Sequence, residues 1–439
     1  MNVNNILYDL ENKNKCIFVM GLGYVGFPLA VELSKVGYKV VGYDVDEKKI
    51  VELTSKTYIF PGYKSSDIYN ENITFTNEPS MISTAAVVIV AVPTPINNNN
   101  EPDLTGLIQA SKTIGQHLNK NSLVIYESTV YPGVTEDICN ETIKKYTNLV
   151  YPNDYEIAYS PERISPGDSS HGLKQVKKII SSNGNALSVV KAIYEKIVTE
   201  GVISVKNIKT AEAIKLIENT QRDINIAFLN EVALILHELN IDTNDVLQGM
   251  KTKWNSLDFS PGLVGGHCIA VDPNYLIWLA EKIKKPIALT KVARSINDGL
   301  SDYIVNEVKN AFENFNIPIK TSRIVVFGVT FKENCADIRN SQSIKIIKML
   351  EQLGFEVLAV DPYINEETSD KLNIKTINKN NVSDADAIIF TVPHSEFYKI
   401  SYSVIESFYK KSLKKRILFD VKNIFNEIIF DNKYYVWRL

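Results

Sequence analysis

Cysteine is scarce in this 439-residue chain: Cys16, Cys139, Cys268 and Cys335 stand far apart, and no two form a C-x-x-C pair. That absence argues against a zinc site and against a disulfide framework, and fits a reducing cytoplasm; no metal centre is expected. Long hydrophobic runs are missing too. No stretch reaches the roughly 18 apolar residues of a membrane span. The polar start MNVNNILYDLENKNK has neither the basic head nor the apolar core of a signal peptide. Neither charge sign dominates. A formal net charge of -3 provides no basic face for nucleic acid. The one dense basic run, Lys410, Lys411, Lys414, Lys415 and Arg416, reads as a solvated helix face. With 45% hydrophobic and 23% charged residues the chain is an ordinary globular protein, long enough for two or three domains.

Apolar runs alternate with helical patterns from the start. CIFVM at 16–20 ends in Gly21, a helical pattern runs to about Lys35, Gly37 stops it, and Lys39–Tyr43 reads as a second strand. Buried strands are expected at Ala85–Val92 and Ser122–Tyr126, which suggests a parallel sheet covered on both faces. From Val202 to Gln248 there is neither Gly nor Pro, and Ile214, Ile217, Ile224, Phe228 and Ile235 recur at helical spacing. One long helix from about Thr210 to Leu239 is expected, then a shorter one. The last third echoes the first. Ile324–Phe327 ends in Gly328, Ser341–Leu353 is helical, Glu356–Val360 ends in Asp361, and Asp386–Val392 resembles Ala85–Val92. The expected fold is therefore α/β, with two Rossmann-like, doubly wound parallel-sheet domains joined by a central long-helix segment. The expected divisions are 1–200, 201–310 and 311–439. The second copy keeps one glycine of its turn and should hold something other than a dinucleotide.

Gly21-Leu22-Gly23-Tyr24-Val25-Gly26 is G-x-G-x-x-G, placed between a strand and a helix, with Asp44 closing the next strand. Gly21 permits the tight turn, Gly23 lets the backbone approach a pyrophosphate, and Gly26 lets helix and strand pack. Asp44 suits a ribose 2′-hydroxyl and repels a 2′-phosphate, so NAD is expected rather than NADP. A purely structural turn is the alternative.

The densest small-residue stretch is Ser260–Pro273, SPGLVGGHCIAVDP. Glycines before Cys268 allow close backbone approach and leave the thiol accessible. A helix beginning near Cys268 would lower the thiol pKa and put Asp272 on the same face. A buried structural cysteine would leave the same string. Lys215, Asn219 and Arg222 form a polar stripe on the long helix, which either faces a site or is solvated surface. SPERI at Ser160–Ile164 and Ser128-Thr129-Val130 fall where strands of the first sheet should end, the ligand crevice of open α/β sheets, or else close turns there.

Taken in order, GLGYVG, VPTP at Val92–Pro95, STVYPGVTE at Ser128–Glu136, SPER, AEAIKLIENT at Ala211–Thr220, GGHCIAVDP at Gly265–Pro273 and GVTFKENCADIRNS at Gly328–Ser341 resemble the UDP-glucose/GDP-mannose dehydrogenase family over nearly the whole chain. The resemblance implies an NAD domain, a central helical dimerisation segment and a C-terminal domain for the UDP-sugar substrate, in a cytoplasmic homodimer. It makes Cys268 the nucleophile, with Lys215 and Asn219 stabilising oxyanions, Asp272 and Thr129 positioning water, and Glu162 as the carboxylate of the motif. Gly21, Gly23, Tyr24, Val25, Gly26, Asp44, Lys49, Thr94, Thr129 and Arg339 match cofactor contacts. Arg163, Ile164, Lys215, Asn219, Arg222, Gly262 and Lys332 match the nucleotide-sugar side. One departure stands out: four residues after Glu162 the UDP-glucose branch has a second glutamate, and this chain has Pro166. SPERISPGD is more similar to the UDP-N-acetylhexosamine branch, with UDP-GlcNAc and UDP-GalNAc enzymes of surface-polysaccharide synthesis closer than UDP-ManNAc ones. A UDP-ManNAc or UDP-glucose 6-dehydrogenase, a single-step nucleotide-sugar oxidoreductase and an inactive NAD-binding scaffold are the other readings. No tyrosine is followed by lysine four residues on, which weighs against the short-chain type of the single-step enzyme.

Overall fold

The computed structural model describes residues 3–60, 62–164, 172–426 and 428–439. The chain divides into two compact units, Met1–Glu218 with Asn274–Ile283, and Asn219–Pro273 with Lys284–Leu439.

The first unit is built on a sheet of strands β1 (Cys16–Met20), β2 (Val40–Tyr43), β3 (Ile73–Thr76), β4 (Ala85–Val90), β5 (Ser122–Tyr126), β6 (Tyr155–Tyr159), β7 (Lys178–Ser182) and β8 (Val202–Ser204). Their order is β3-β2-β1-β4-β5-β6-β7-β8, and β1 to β6 pair in parallel. β1, β4, β5 and β6 are buried along their whole length, because helices cover both faces. Helix α1 (Gly26–Lys35) lays Phe27, Leu29 and Val31 into the same core as Ile17, Val19, Val87 and Ile89. The connections reverse direction at β1 and β4, which opens a crevice at the C-terminal ends of these strands. The sheet departs from a fully parallel one at its edge. β7 runs antiparallel to β6, and β8 follows β7. Helix α2 (Leu187–Glu195) joins these two reversed strands, burying Val189, Val190 and Ile193 in the same core.

Helix α3 (Ile208–Glu238) is the long glycine-free helix. The boundary of the two units falls within it, between Glu218 and Asn219. The second unit holds its shorter successor α4 (Thr243–Lys251), capped by Asp242, and the start of α5 (Asp272–Lys282). It also holds α6 (Ala288–Asn314). Its sheet contains β9 (Arg323–Phe327), β10 (Glu356–Val360), β11 (Ala387–Phe390), β12 (Arg416–Asp420) and β13 (Tyr434–Arg438), in the order β10-β9-β11-β12-β13, all parallel. β10, β9 and β11 repeat the arrangement of β2, β1 and β4. Ser341 caps α7 (Gln342–Leu353), and Gly354 ends it at φ +99°. Phe327, Phe390 and Phe397 pack on one face of this sheet, with the Phe327 and Phe390 rings 4.5 Å apart.

The basic run is not a helix face. The preceding helix, Tyr402–Ser407, has ended, and Arg416 opens β12 because the following ILFD is a buried strand. Arg416 pairs with Glu406 at 3.0 Å and Lys410 with Asp386. Among the described residues no helix is long and apolar enough to cross a membrane.

Candidate functional site

In the first unit, β1 runs into the turn Gly21–Val25 and α1 begins at Gly26. Gly21 lies at φ +94°, where an added Cβ would also meet Ala91 O at 2.8 Å. A Cβ on Gly26 would meet Gly21 O at 1.9 Å, so this glycine is demanded by the protein's own packing. Gly23 differs: an added Cβ there meets nothing within 4 Å. Its carbonyl accepts from Phe27 N–H at 3.1 Å, and the side where a Cβ would stand faces open space. Val25 supplies no side-chain cap to α1, leaving the positive helix end to an outside anion. Tyr24 packs edge-on against Phe60, 6.0 Å away.

Asp44, just past β2, accepts from Leu22 N–H at 2.9 Å and Lys49 Nζ at 2.7 Å through Oδ2, and from Asp46 N–H at 3.0 Å through Oδ1. Burial would push its carboxyl up, but Lys49 and the two N–H groups outweigh it and hold the carboxyl below its usual range. An ionised carboxylate beside an uncapped, glycine-lined turn fits a dinucleotide with a free ribose 2′-hydroxyl. Thr94 Oγ1 donates to Thr129 O at 2.7 Å, tying together the turns after β4 and β5, and Tyr275 OH donates to Thr94 O at 2.9 Å.

Glu162 follows β6 and is 8% exposed. Its Oε1 accepts from the N–H groups of Arg163 at 2.7 Å and Ile164 at 2.6 Å, and its Oε2 lies 3.3 Å from Lys178 Nζ. The Arg163 guanidinium is held by Glu218 through Nε at 3.0 Å and Nη2 at 2.5 Å, and Nη1 donates to Lys177 O. Ile164 packs against the first core. Lys215, on α3, is buried, and its charge acts on Glu162. Pro166 lies outside the described residues.

In the second unit, Asn219 Nδ2 donates to Asp272 Oδ2 at 2.6 Å, and both residues are buried. The regular helix begins at Asp272, so Cys268 lies in the turn before it. The Cys268 carbonyl accepts from Asp272 N–H at 2.8 Å and Val271 N–H at 3.1 Å. Cys268 is partly exposed, whereas Cys16, Cys139 and Cys335 are buried. Burial raises all three of those thiols, Cys139 to about 12. The glycines before Cys268 serve packing. A Cβ on Gly265 would meet Asn340 O at 2.7 Å, and one on Gly266 would meet the Phe331 ring at 2.6 Å. Gly266 N–H donates to Arg339 O at 3.2 Å, and Asn340 Nδ2 donates to Gly266 O at 3.0 Å. Two motifs remote in sequence, GGHC and NCADIRNS, are thus stitched together. The Arg339 guanidinium is engaged by Asp337, which also lies 3.6 Å from His267 Nδ1. Lys332 is half-buried and Arg222 exposed.

Asn230 and Lys422 lie outside the sequence motifs, and Glu212 lies within AEAIKLIENT without an expected role. Asn230 grips Gly262, accepting from its N–H at 2.7 Å and donating to its carbonyl at 3.2 Å. Lys422 Nζ reaches Pro261 O at 3.1 Å, and burial depresses its pKa. Glu212 on α3 accepts from Gly133 N–H at 2.6 Å and Thr135 N–H at 2.9 Å, anchoring the turn after β5, and burial lifts its pKa to about 7. Glu127 gave the one available signal: a carboxylate directly after a strand, as Asp44 is. Among the described residues no group of three or more His, Cys, Asp or Glu is arranged to hold a metal ion.

Three segments match the UDP-glucose/GDP-mannose dehydrogenase family: its NAD binding domain at residues 15–198, its central domain at 209–299 and its UDP binding domain at 325–427. The chain is 40% identical over 411 residues to the UDP-N-acetyl-D-glucosamine 6-dehydrogenase of Salmonella typhi, covering 93% of this chain and 96% of the relative. To the protein CapL of Staphylococcus aureus it is 39% identical over 430 residues, covering 97% and 100%. The solved UDP-D-ManNAc dehydrogenase of Pyrococcus horikoshii superimposes with a TM-score of 0.85 at 30% identity, covering 96% of this chain and 98% of that one.

Proposed function

The chain belongs to the UDP-glucose/GDP-mannose dehydrogenase family, an NAD-dependent oxidoreductase family, and we propose that it oxidises the C6 hydroxymethyl of UDP-GlcNAc or UDP-GalNAc to the uronate. The choice of an N-acetylhexosamine rests on the SPERISPGD motif and is supported by the names of two relatives, UDP-N-acetyl-D-glucosamine 6-dehydrogenases at 40% and 39% identity. NAD, bound at the first glycine turn, supplies the hydride acceptor for each of the two oxidations.

Cys268 adds as thiolate to the C6 aldehyde, forming a thiohemiacetal. Loss of the second hydride leaves a thioester, and water releases the carboxylate and returns the thiol. Two NAD and one water are consumed per sugar. Lys215 and Asn219 stabilise the oxyanions. Asp272 and Thr129 position the water, and Glu162 accepts its proton. Tyr24, Val25, Lys49, Thr94 and Arg339 complete the cofactor side. Arg163, Ile164, Arg222, Gly262 and Lys332 hold the UDP-sugar.

The observation that carries this reading is the Asn219–Asp272 hydrogen bond of 2.6 Å. It fastens the loop of the one partly exposed cysteine to Asn219 of α3. We further propose a homodimer through α3, whose Phe228 and Ile235 are each 56% exposed, with Leu239 just past its end 62% exposed, a costly stripe for a lone chain. The segments 1–200, 201–310 and 311–439 then serve cofactor, dimer and nucleotide sugar, in a cytoplasmic enzyme that feeds surface-polysaccharide synthesis.

The test is NADH yield with UDP-GlcNAc, UDP-GalNAc, UDP-ManNAc and UDP-glucose, with mass analysis of the product. Two NADH per N-acetylhexosamine and no uronate from Cys268→Ser are expected. One NADH per sugar, or full turnover by that variant, would remove the thioester.

A further inference from the structure

The first unit encloses a charged cluster that the cysteine chemistry does not itself require. Lys178 is 3% exposed and Glu127 1%. Lys178 Nζ lies 2.9 Å from Glu127 Oε2 and 3.3 Å from both Glu162 Oε2 and Pro161 O, and 5.1 Å from the centre of the Tyr194 ring. The Tyr194 hydroxyl donates to the other Glu127 oxygen.

The reversed edge of the sheet places this lysine. Ala158 pairs with Ser182 and Tyr159 with Ser181. Continuing the antiparallel register by three residues sets Glu162 across from Lys178. In a parallel sheet the start of a strand lies at the end opposite the crevice. Here reversal brings the start of β7 to the end where β5 releases Glu127 and β6 leads to Glu162.

We propose that Lys178, backed by Glu127 and Tyr194, is a positioning group that holds Glu162 ionised and fixed in orientation, so that it accepts the proton of the water that cleaves the Cys268 thioester. The inference deepens the function proposed above and rests on it. Two carboxylates share one buried ammonium, and their remaining partners differ. Glu162 has two backbone N–H groups, which favour its charged form. Glu127 has a phenol. Burial accordingly pushes the Glu127 carboxyl up, while for Glu162 Lys178 and the N–H groups overcome burial and hold it down. Structural stapling alone does not call for such a cluster, since a buried ion pair is often no more stabilising than apolar side chains of the same volume.

Among the described residues, the charged and titratable groups facing Glu162 are Lys178 from β7, Lys215 from α3 and Glu127 from the end of β5, with Tyr194 of α2 behind Glu127. In Lys178→Met, kcat should fall about 100- to 1000-fold, as for loss of a general base. The acid limb of its pH profile should rise by about 1–3 pH units, as when a carboxylate loses a close cation. KM for the UDP-sugar should stay within about twofold, since only a transition-state interaction is lost. Intact-protein mass spectrometry after quenching should show the Cys268 adduct accumulating in this variant. Lys178→Arg should keep the wild-type limb. An unmoved acid limb without adduct overturns the inference, as does a loss carried wholly by KM. Should Lys178→Met fail to fold, Glu127→Gln is read instead. Freed of one competing carboxylate, Lys178 then favours ionised Glu162 further and the acid limb moves to lower pH; an unmoved or rising limb overturns the inference. Full uronate yield from Cys268→Ser would sink the thioester reading itself, a different failure from an unmoved limb in an active enzyme.

Discussion

The chain builds strand, turn, helix and strand twice, and the two turns are finished in opposite ways. After β1, Gly23 stands over open space and Asp44 is neutralised by Lys49, whose side chain is 22% exposed. After β9, Gly328 makes the same left-handed start at φ +90°, but Val329 and a fully buried Thr330 follow in place of Leu22 and Gly23. Asp361, the counterpart of Asp44, accepts from Val329 N–H at 2.6 Å, Thr330 N–H at 3.1 Å and Tyr363 N–H at 2.8 Å. His394, entirely buried, completes the set. Its Nδ1 accepts from Asn334 N–H at 3.0 Å, which leaves the proton on Nε2 to be donated to Asp361 at 3.0 Å. The second carboxylate is consumed by the protein, whereas the first keeps a side toward solvent. A glycine turn becomes a dinucleotide site only where the protein leaves its backbone and its carboxylate partly unused.

Substitutions at the glycines should separate the two turns most sharply. Gly26→Ala, with its contact of 1.9 Å, should cost about 3 kcal/mol or more and abolish NAD binding. Gly23→Ala should leave the melting temperature within about 2 °C, the shift of a sub-kcal/mol change, yet weaken NAD at least about tenfold, some 1.4 kcal/mol. Gly328→Ala should lower the melting temperature and leave the NAD Kd unchanged. Calorimetric melting beside titration with NAD decides this, and a Gly328→Ala protein that is folded but blind to NAD would break the contrast.

The carboxylates come next. Asp361→Asn strands buried donors and should destabilise by about 3 kcal/mol without changing NAD affinity. Asp44→Asn should cost less in stability than that, since its cation Lys49 keeps contact with solvent, while weakening NAD and admitting NADP. Asp361 has a depressed pKa, despite burial, because of its bonds to His394 and the turn. Its contribution is therefore present above the ordinary carboxylate range and lost as pH falls through its lower folded value. NAD affinity that follows Asp361 instead of Asp44 would reverse the assignment.

Glu212 should give an effect of the opposite sign. Burial raises it from 4.5 to about 7, so the folded state favours the proton. Its contribution is complete below 4.5 and is lost as pH rises through about 7. Melting temperatures between these values should decline with pH in the wild type and flatten in Glu212→Gln. Equal slopes would mean that Glu212 is charged throughout.

Much of this was legible in the chain. Glu356–Val360 and Ser122–Tyr126 are strands at those residues, and Ile208–Glu238 differs by two residues and one residue from the helix expected over Thr210–Leu239. Each is announced by a local signal: a run of apolar residues, a bounding glycine, a long stretch without glycine or proline. The first glycine turn was equally plain, because the absence of a side chain is a local property. The basic run misled, since like charges between a helix and a strand read the same as charges on a helix. Gly265 and Gly266 also misled. They read as room for a ligand, but their neighbours are Asn340 and Phe331, about 65 to 75 residues away.

Periodicity and punctuation in the sequence determined the two α/β sheets, the helix joining their segments, and the place of the dinucleotide turn, because each depends on residues a few positions apart. The tertiary structure alone decided what became of the charged groups. The reversal of β7 set Lys178 between carboxylates 51 and 16 residues away, Asn230 came to grip Gly262 across 32, and His394 closed on Asp361 across 33. Burial makes these pairings strong, and burial is a property of the folded chain that no local stretch of sequence expresses.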